Sequence, residues 1–142
     1  MIKNLFNKQK NGIIIKVPRY LFLPYHLFGA IGITLYPFIF MDKEYFSLLD
    51  TFNDKKYQKV LINHERIHIR QQLEGLIVFF YIIYIFDWLY QYIRGKYILK
   101  NPDFNINKAY RNIGYEKEAY SNENNLQYLN SRKWYANFRK SK

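Results

Sequence analysis

An α+β, mostly helical domain is the fold this sequence predicts, with a long helix packed on a small edge sheet and on a second helix. Three observations carry the expectation. The 142-residue chain is large enough for one hydrophobic core but not for two. Residues 54–94 contain no proline and are rich in helix formers. GITLYPFIF (32–40) is β-branched and aromatic, as a short strand would be. No internal repeat or low-complexity linker divides the chain, so 1–142 is read as one domain.

In chain order, residues 1–19 form a basic segment with five Lys or Arg and no acidic residue. It is too long and polar for the n-region of a secretory signal, so none is expected. Residues 20–41 are apolar but punctuated by Pro24, His26, Gly29, Gly32 and Pro37, which interrupt a helix. With Pro37 inside it, a strand over 32–40 has to lie at a sheet edge. Asn53 or Asp54 is the expected N-cap of the 54–94 helix, with Gly75 as the point of a bend or break. Its second half, 75–93, is apolar on every side until Asp87 and Gln91, which suits either a membrane helix or one buried in a core. Gly95, Asn101 and Pro102 punctuate a loop, and residues 110–130 read as the second helix.

Composition narrows the chemistry. The absence of cysteine excludes disulfides and thiolate ligands, leaving imidazole and carboxylate to hold any metal. Net charge is +11, concentrated at the two ends: residues 41–75 carry six charges of each sign, whereas residues 94–142 carry eleven basic and four acidic ones. Basic ends on a chain that is 20% aromatic suit an anionic membrane surface. No RNP-like string, zinc-finger spacing or arginine-glycine repeat is present, so no nucleic-acid partner is expected.

The sharpest signal is NHERIHIRQQLE (63–74). On a helix, His64 and His68 lie one turn apart on the same face and can bring two ring nitrogens to one cation. Glu65, rotated by about 100° from His64, would stand beside the open coordination position, where a carboxylate can act as general base towards a zinc-activated water. Shuffling this composition yields His-Glu-x-x-His in only about two chains per thousand. A catalytic zinc site needs a third protein ligand. Glu74 stands where proteases with a His-Glu-x-x-His-x-x-Gly-x-x-His pattern carry theirs, but Gln71 replaces the glycine that breaks their helix. On an unbroken helix Glu74 is about 9 Å beyond His68, so it is expected to be a supporting or surface carboxylate.

YEKEAY (115–120) completes the pattern. Taken with His-Glu-x-x-His, it resembles the gluzincin metallopeptidases, in which a Glu-x-x-Ala-Asp helix supplies the third ligand. It is also similar to the membrane-associated members: the CAAX prenyl proteases, the HtpX-type quality-control proteases, the BlaR/MecR-type sensor proteases, and small bacterial proteins with an NHExIHxRQQ…FExEAY layout. The resemblance implies Zn²⁺ on His64, His68 and Glu116, with Glu65 as base and a peptide or protein as substrate. It further implies a membrane-associated location, peripheral or integral, at an inner membrane of bacterial type, with the cytoplasm as the alternative. Tyr120 departs from the pattern, standing where an aspartate would orient a ligand histidine, so its phenol or another group has to do so. Glu118 is expected to be a solvated charge, as are Arg66 and Arg70. Arg111 and Tyr115 are candidates to stabilise an oxyanion, and so, more weakly, is His26.

Membrane crossing and the zinc site are incompatible. If helix 75–93 spans a bilayer, Glu116 ends on the opposite side from the histidines, because residues 94–116 contain no apolar run able to recross. The site is preferred, and helix 75–93 is therefore expected to be buried in the fold or to lie in a membrane surface. The alternatives are a non-enzymatic two-helix membrane protein serving in binding or assembly, and a zinc-binding relative without catalysis.

Overall fold

The computed structural model describes residues 11–22 and 30–138, so His26 lies outside the described residues. The architecture is mostly helical with one small mixed sheet, the α+β class expected.

The sheet has the order β1-β3-β2. Strand β1 (Ile13–Val17) runs parallel to β3 (Phe38–Asp42), with Ile14 opposite Ile39. Strand β2 (Gly32–Leu35) is antiparallel to β3, with Thr34 opposite the same Ile39. The segment expected to be one edge strand is thus a hairpin. Pro37, which has no amide proton for a ladder, sits in the turn after a cis Tyr36–Pro37 peptide. β2 occupies the edge and β3 the centre. β1 lies within the segment read as a basic N-terminal stretch, although IIIKV is a β-branched run of the kind strands favour.

Helix α1 (Lys43–Thr51) begins where the Asp42 carboxylate accepts the Tyr45 amide, and α2 (Lys55–Glu74) begins where Asp54 accepts that of Tyr57. The long helix expected over 54–94 is divided. α2 ends at Glu74, Leu76 and Ile77 take left-handed φ angles of 49° and 56°, and α3 (Val78–Ile93) departs at a bend of 113°. Gly75 permits the return, because a Cβ there would lie 2.9 Å from the Cβ of Phe80. After a π-helical turn at Arg94–Ile98 come α4 (Ile106–Asn112), α5 (Gly114–Asn122) and α6 (Tyr128–Ser131). The single helix expected over 110–130 is therefore three short ones. Among the described residues no single helix is long and apolar enough to cross a membrane.

Two apolar clusters flank α2. On one side Ile39, Met41, Phe46 and Ile69 join it to the sheet and α1; on the other Phe80, Ile113 and Tyr115 join α3 to α5. Between them α2 buries a polar face that includes Asn63, His64, Glu65, His68, Gln71, Gln72 and Glu74. Such groups are tolerated inside only when paired, and each has a partner.

Glu74 and Glu118 illustrate this. Both carboxylates are buried, and both bind the buried guanidinium of Arg132. Glu118 is therefore not the solvated charge its sequence context suggests, and Glu74 anchors the C-terminal segment rather than lying on the surface. Arg66 and Arg70 are likewise half-buried, with Arg66 Nε donating to the Asn11 carbonyl. Replacing Arg132 with alanine leaves two buried carboxylates without their cation. Urea unfolding is expected to register a loss of about 3–5 kcal/mol, with the slope against urea unchanged.

Candidate metal centre

One helical turn brings the rings of His64 and His68 together edge to face, with centroids 4.9 Å and Nε2 atoms 3.2 Å apart. The first turn of α5 delivers Glu116 to the same point. Its Oε2 is 3.4 Å from His64 Nε2 and its Oε1 is 3.2 Å from His68 Nε2. All three side chains are buried.

The arrangement suits a small divalent cation on two counts. Metal–ligand bonds of about 2.0–2.1 Å place tetrahedral ligand atoms about 3.3–3.4 Å apart, close to the 3.2 Å between the two Nε2 atoms, and each ring faces a different oxygen of Glu116 at a similar distance. Second, Glu116 Oε2 is buried without a hydrogen-bond partner, an orphaned acceptor that a cation would satisfy. Two imidazoles, one carboxylate and no thiolate match the donor chemistry of zinc with one position left open.

Without a metal, protons balance the charges. Burial opposes charging of His64, but the adjacent carboxylates of Glu116 and Glu123 outweigh it and raise its pKa to about 10. His68 is raised too, burial again being overcome, chiefly by the charge of Glu116. Burial would raise Glu116, yet the two imidazoles hold it well below the usual carboxylate range.

The outer nitrogens are anchored as well. His64 Nδ1 donates to Glu123 Oε2 at 2.8 Å, and His68 Nδ1 donates to Gln71 Oε1 at 2.7 Å. Gln71 Nε2 in turn donates to the Tyr115 carbonyl and to Glu118. These acceptors fix the tautomer that turns each Nε2 lone pair to the common point. Asn63 donates to the carbonyls of Glu123 and Asn125, so the residue before His64 fixes the chain that carries its anchor. Sequence reasoning missed Glu123, although Glu116, Tyr120 and Glu123 share one helical face at i, i+4 and i+7. Tyr120 does not take the missing aspartate's role by hydrogen bonding. Its ring packs against that of His64 at 4.7 Å, under the Arg111 guanidinium at 4.9 Å.

Glu65 faces the sheet. Thr34 Oγ1 donates to its Oε2 at 2.6 Å, and its Oε1 lies where a side chain on Gly32 would begin, 2.6 Å from a Cβ built there. The glycine of β2 thus makes room for the carboxylate, and the threonine holds it. Glu65, His68 and Glu116 together line a cavity of about 500 Å³ whose other walls come mainly from β2 and α3.

Tyr84, on that wall, donates to Glu116 Oε1 at 2.6 Å, and Tyr110 lies beside it. Burial, reinforced by the charge of Glu116, keeps both phenols protonated far above their ordinary range. Neither Arg111 nor Tyr115, the expected oxyanion groups, lines the cavity. Arg111 is occupied with Tyr120, and Tyr115 packs behind the site on Phe80 at 4.6 Å. The outer side of β2 is partly closed, since Gln72 bonds both the Thr34 carbonyl and the Tyr36 amide.

No protein-family model, curated protein or solved structure matches the chain. Residue chemistry and geometry therefore carry the functional reading.

Zinc titration followed by calorimetry tests the electrostatics. The imidazoles are protonated below their raised pKa values, and a metal needs their lone pairs, so binding at neutral pH is expected to release protons and to tighten as pH rises towards about 10. In the same titration Glu123→Ala is expected to weaken affinity about 10–100-fold, with Tyr120→Phe close to wild type.

Proposed function

We propose that this protein is a zinc-dependent hydrolase of the metallopeptidase type, with His64, His68 and Glu116 holding Zn²⁺ and Glu65 as general base. The observation that carries the reading is the meeting of both Nε2 atoms with a buried carboxylate that has one oxygen unpartnered. When bound, zinc supplies Lewis acidity towards a carbonyl oxygen and lowers the pKa of water towards about 7.

The chain's own groups supply the rest. Glu65, held by Thr34 at the cavity wall, takes a proton from the attacking water and returns it to the leaving amine. Tyr84, kept in its O–H form, holds the Glu116 carboxylate by donating to its Oε1, and Tyr110 stands beside it on the same wall. Glu123 and Gln71 keep the two imidazoles oriented throughout. Phe80, Ile85 and Trp88 line the α3 side of the cavity with mainly apolar surface. A peptide extended along β2 has to stop short of Thr34 or displace Gln72.

Purified protein is expected to hold about one zinc per chain by mass spectrometry of metals, and Glu116→Ala to hold far less. Glu65→Gln should retain the metal while hydrolysis of fluorescein-labelled casein falls about 10²–10⁴-fold. Wild type without zinc, or an undiminished rate in Glu65→Gln, would overturn the proposal.

A further inference from the structure

Every exposed residue of α3, from Val78 to Ile93, is aliphatic, phenylalanine or tyrosine. At 100° per residue they fill an arc of about 160°, a continuous apolar face with Phe79 58%, Ile85 62% and Phe86 68% exposed. Single exposed apolar side chains are ordinary, but a contiguous face of this size marks a contact surface. The helix was expected to be buried in the fold or laid against a membrane, and it is not buried: Phe80 alone among its residues is fully enclosed.

Two further observations identify what covers it. The only acidic residue between positions 75 and 100 is Asp87. It is turned away from this face, its Oδ2 accepting the Gly114 amide at 2.7 Å at the start of the helix that carries Glu116, and its Oδ1 accepting Gln91. The cost of a carboxylate in lipid, the main objection to placing this helix in a membrane, therefore does not arise. Beyond the helix come Arg94, Lys96 and Lys100, with Tyr90 and Tyr97 beside them and exposed. Basic and aromatic residues at the rim of an apolar face match phosphate headgroups above acyl chains. A second copy of the chain would offer these cations no carboxylate from the same segment.

We propose that the outer face of α3 seats on an anionic phospholipid bilayer, with the helix lying in the membrane plane. Sixteen residues extend about 24 Å, short of the roughly 30 Å of a hydrocarbon core. The 113° turn from α2 keeps both histidines and Glu116 on the same side of the membrane. Ile85 belongs both to this face and to the cavity wall, so the cavity adjoins the lipid. The inference does not rest on the hydrolase reading, because seating needs neither metal nor catalysis.

Flotation of the full chain with vesicles tests it, with zinc content measured on the same samples. Wild type is expected to float with phosphatidylcholine vesicles containing phosphatidylglycerol and more weakly with phosphatidylcholine alone. Ile82→Glu combined with Phe86→Glu, both at exposed positions, should reduce partitioning about tenfold or more. A Phe86→Trp variant provides a second measurement, since brominated acyl chains should quench the added fluorescence. No flotation with either vesicle, no quenching at position 86, undiminished flotation of the doubly substituted protein, or a wild-type dimer that the double substitution dissociates would each overturn the proposal.

Discussion

A buried carboxylate between two buried imidazoles is the constraint around which this molecule is arranged. Glu116 is 1% exposed and touches both Nε2 atoms, so its charge has to be answered from within the protein, by protons on the rings or by a cation in their place. The surrounding structure maintains that answer. The turn after α2 brings Tyr84 over Glu116, Asp87 caps the helix that carries it, and Asn63 steadies the chain from which Glu123 holds His64.

This accounts for the unusual polarity of α2. A helix through the centre of a small domain would ordinarily turn aliphatic side chains to both neighbours. Here each buried polar residue is tied to a particular partner: His68 to Gln71, Gln72 to β2, Glu65 to Thr34 and Glu74 to Arg132. Buried polar networks of this kind are costly when incomplete and specify one arrangement when complete. With the interior committed to such a network, much of the apolar surface, above all that of α3, faces outwards.

Periodicity and motif made part of this legible. The i, i+4 spacing placed the two histidines on one face without tertiary information, and the β-branched run at 32–40 marked the sheet. Glu116 was reached through resemblance to a family pattern, since nothing in spacing alone ties position 116 to position 64. The partners that needed the fold were missed: Thr34 on Glu65, Glu123 on His64, and Arg132 between Glu74 and Glu118. Glu118 reads as surface because it points elsewhere on the helix than Glu116, whereas a guanidinium fourteen residues later keeps it inside. The break after Gly75 was anticipated, but not its size, because the return of Phe80 onto that glycine is a long-range packing effect.

The central claim is that His64, His68 and Glu116 share one zinc ion. A crystal of zinc-loaded protein, with anomalous diffraction recorded on either side of the zinc absorption edge, addresses it most directly. The account predicts one strong peak about 2.0–2.2 Å from both Nε2 atoms and from a carboxylate oxygen of Glu116. Absence of a peak among these side chains, or a zinc whose ligands leave Glu116 aside, would contradict it.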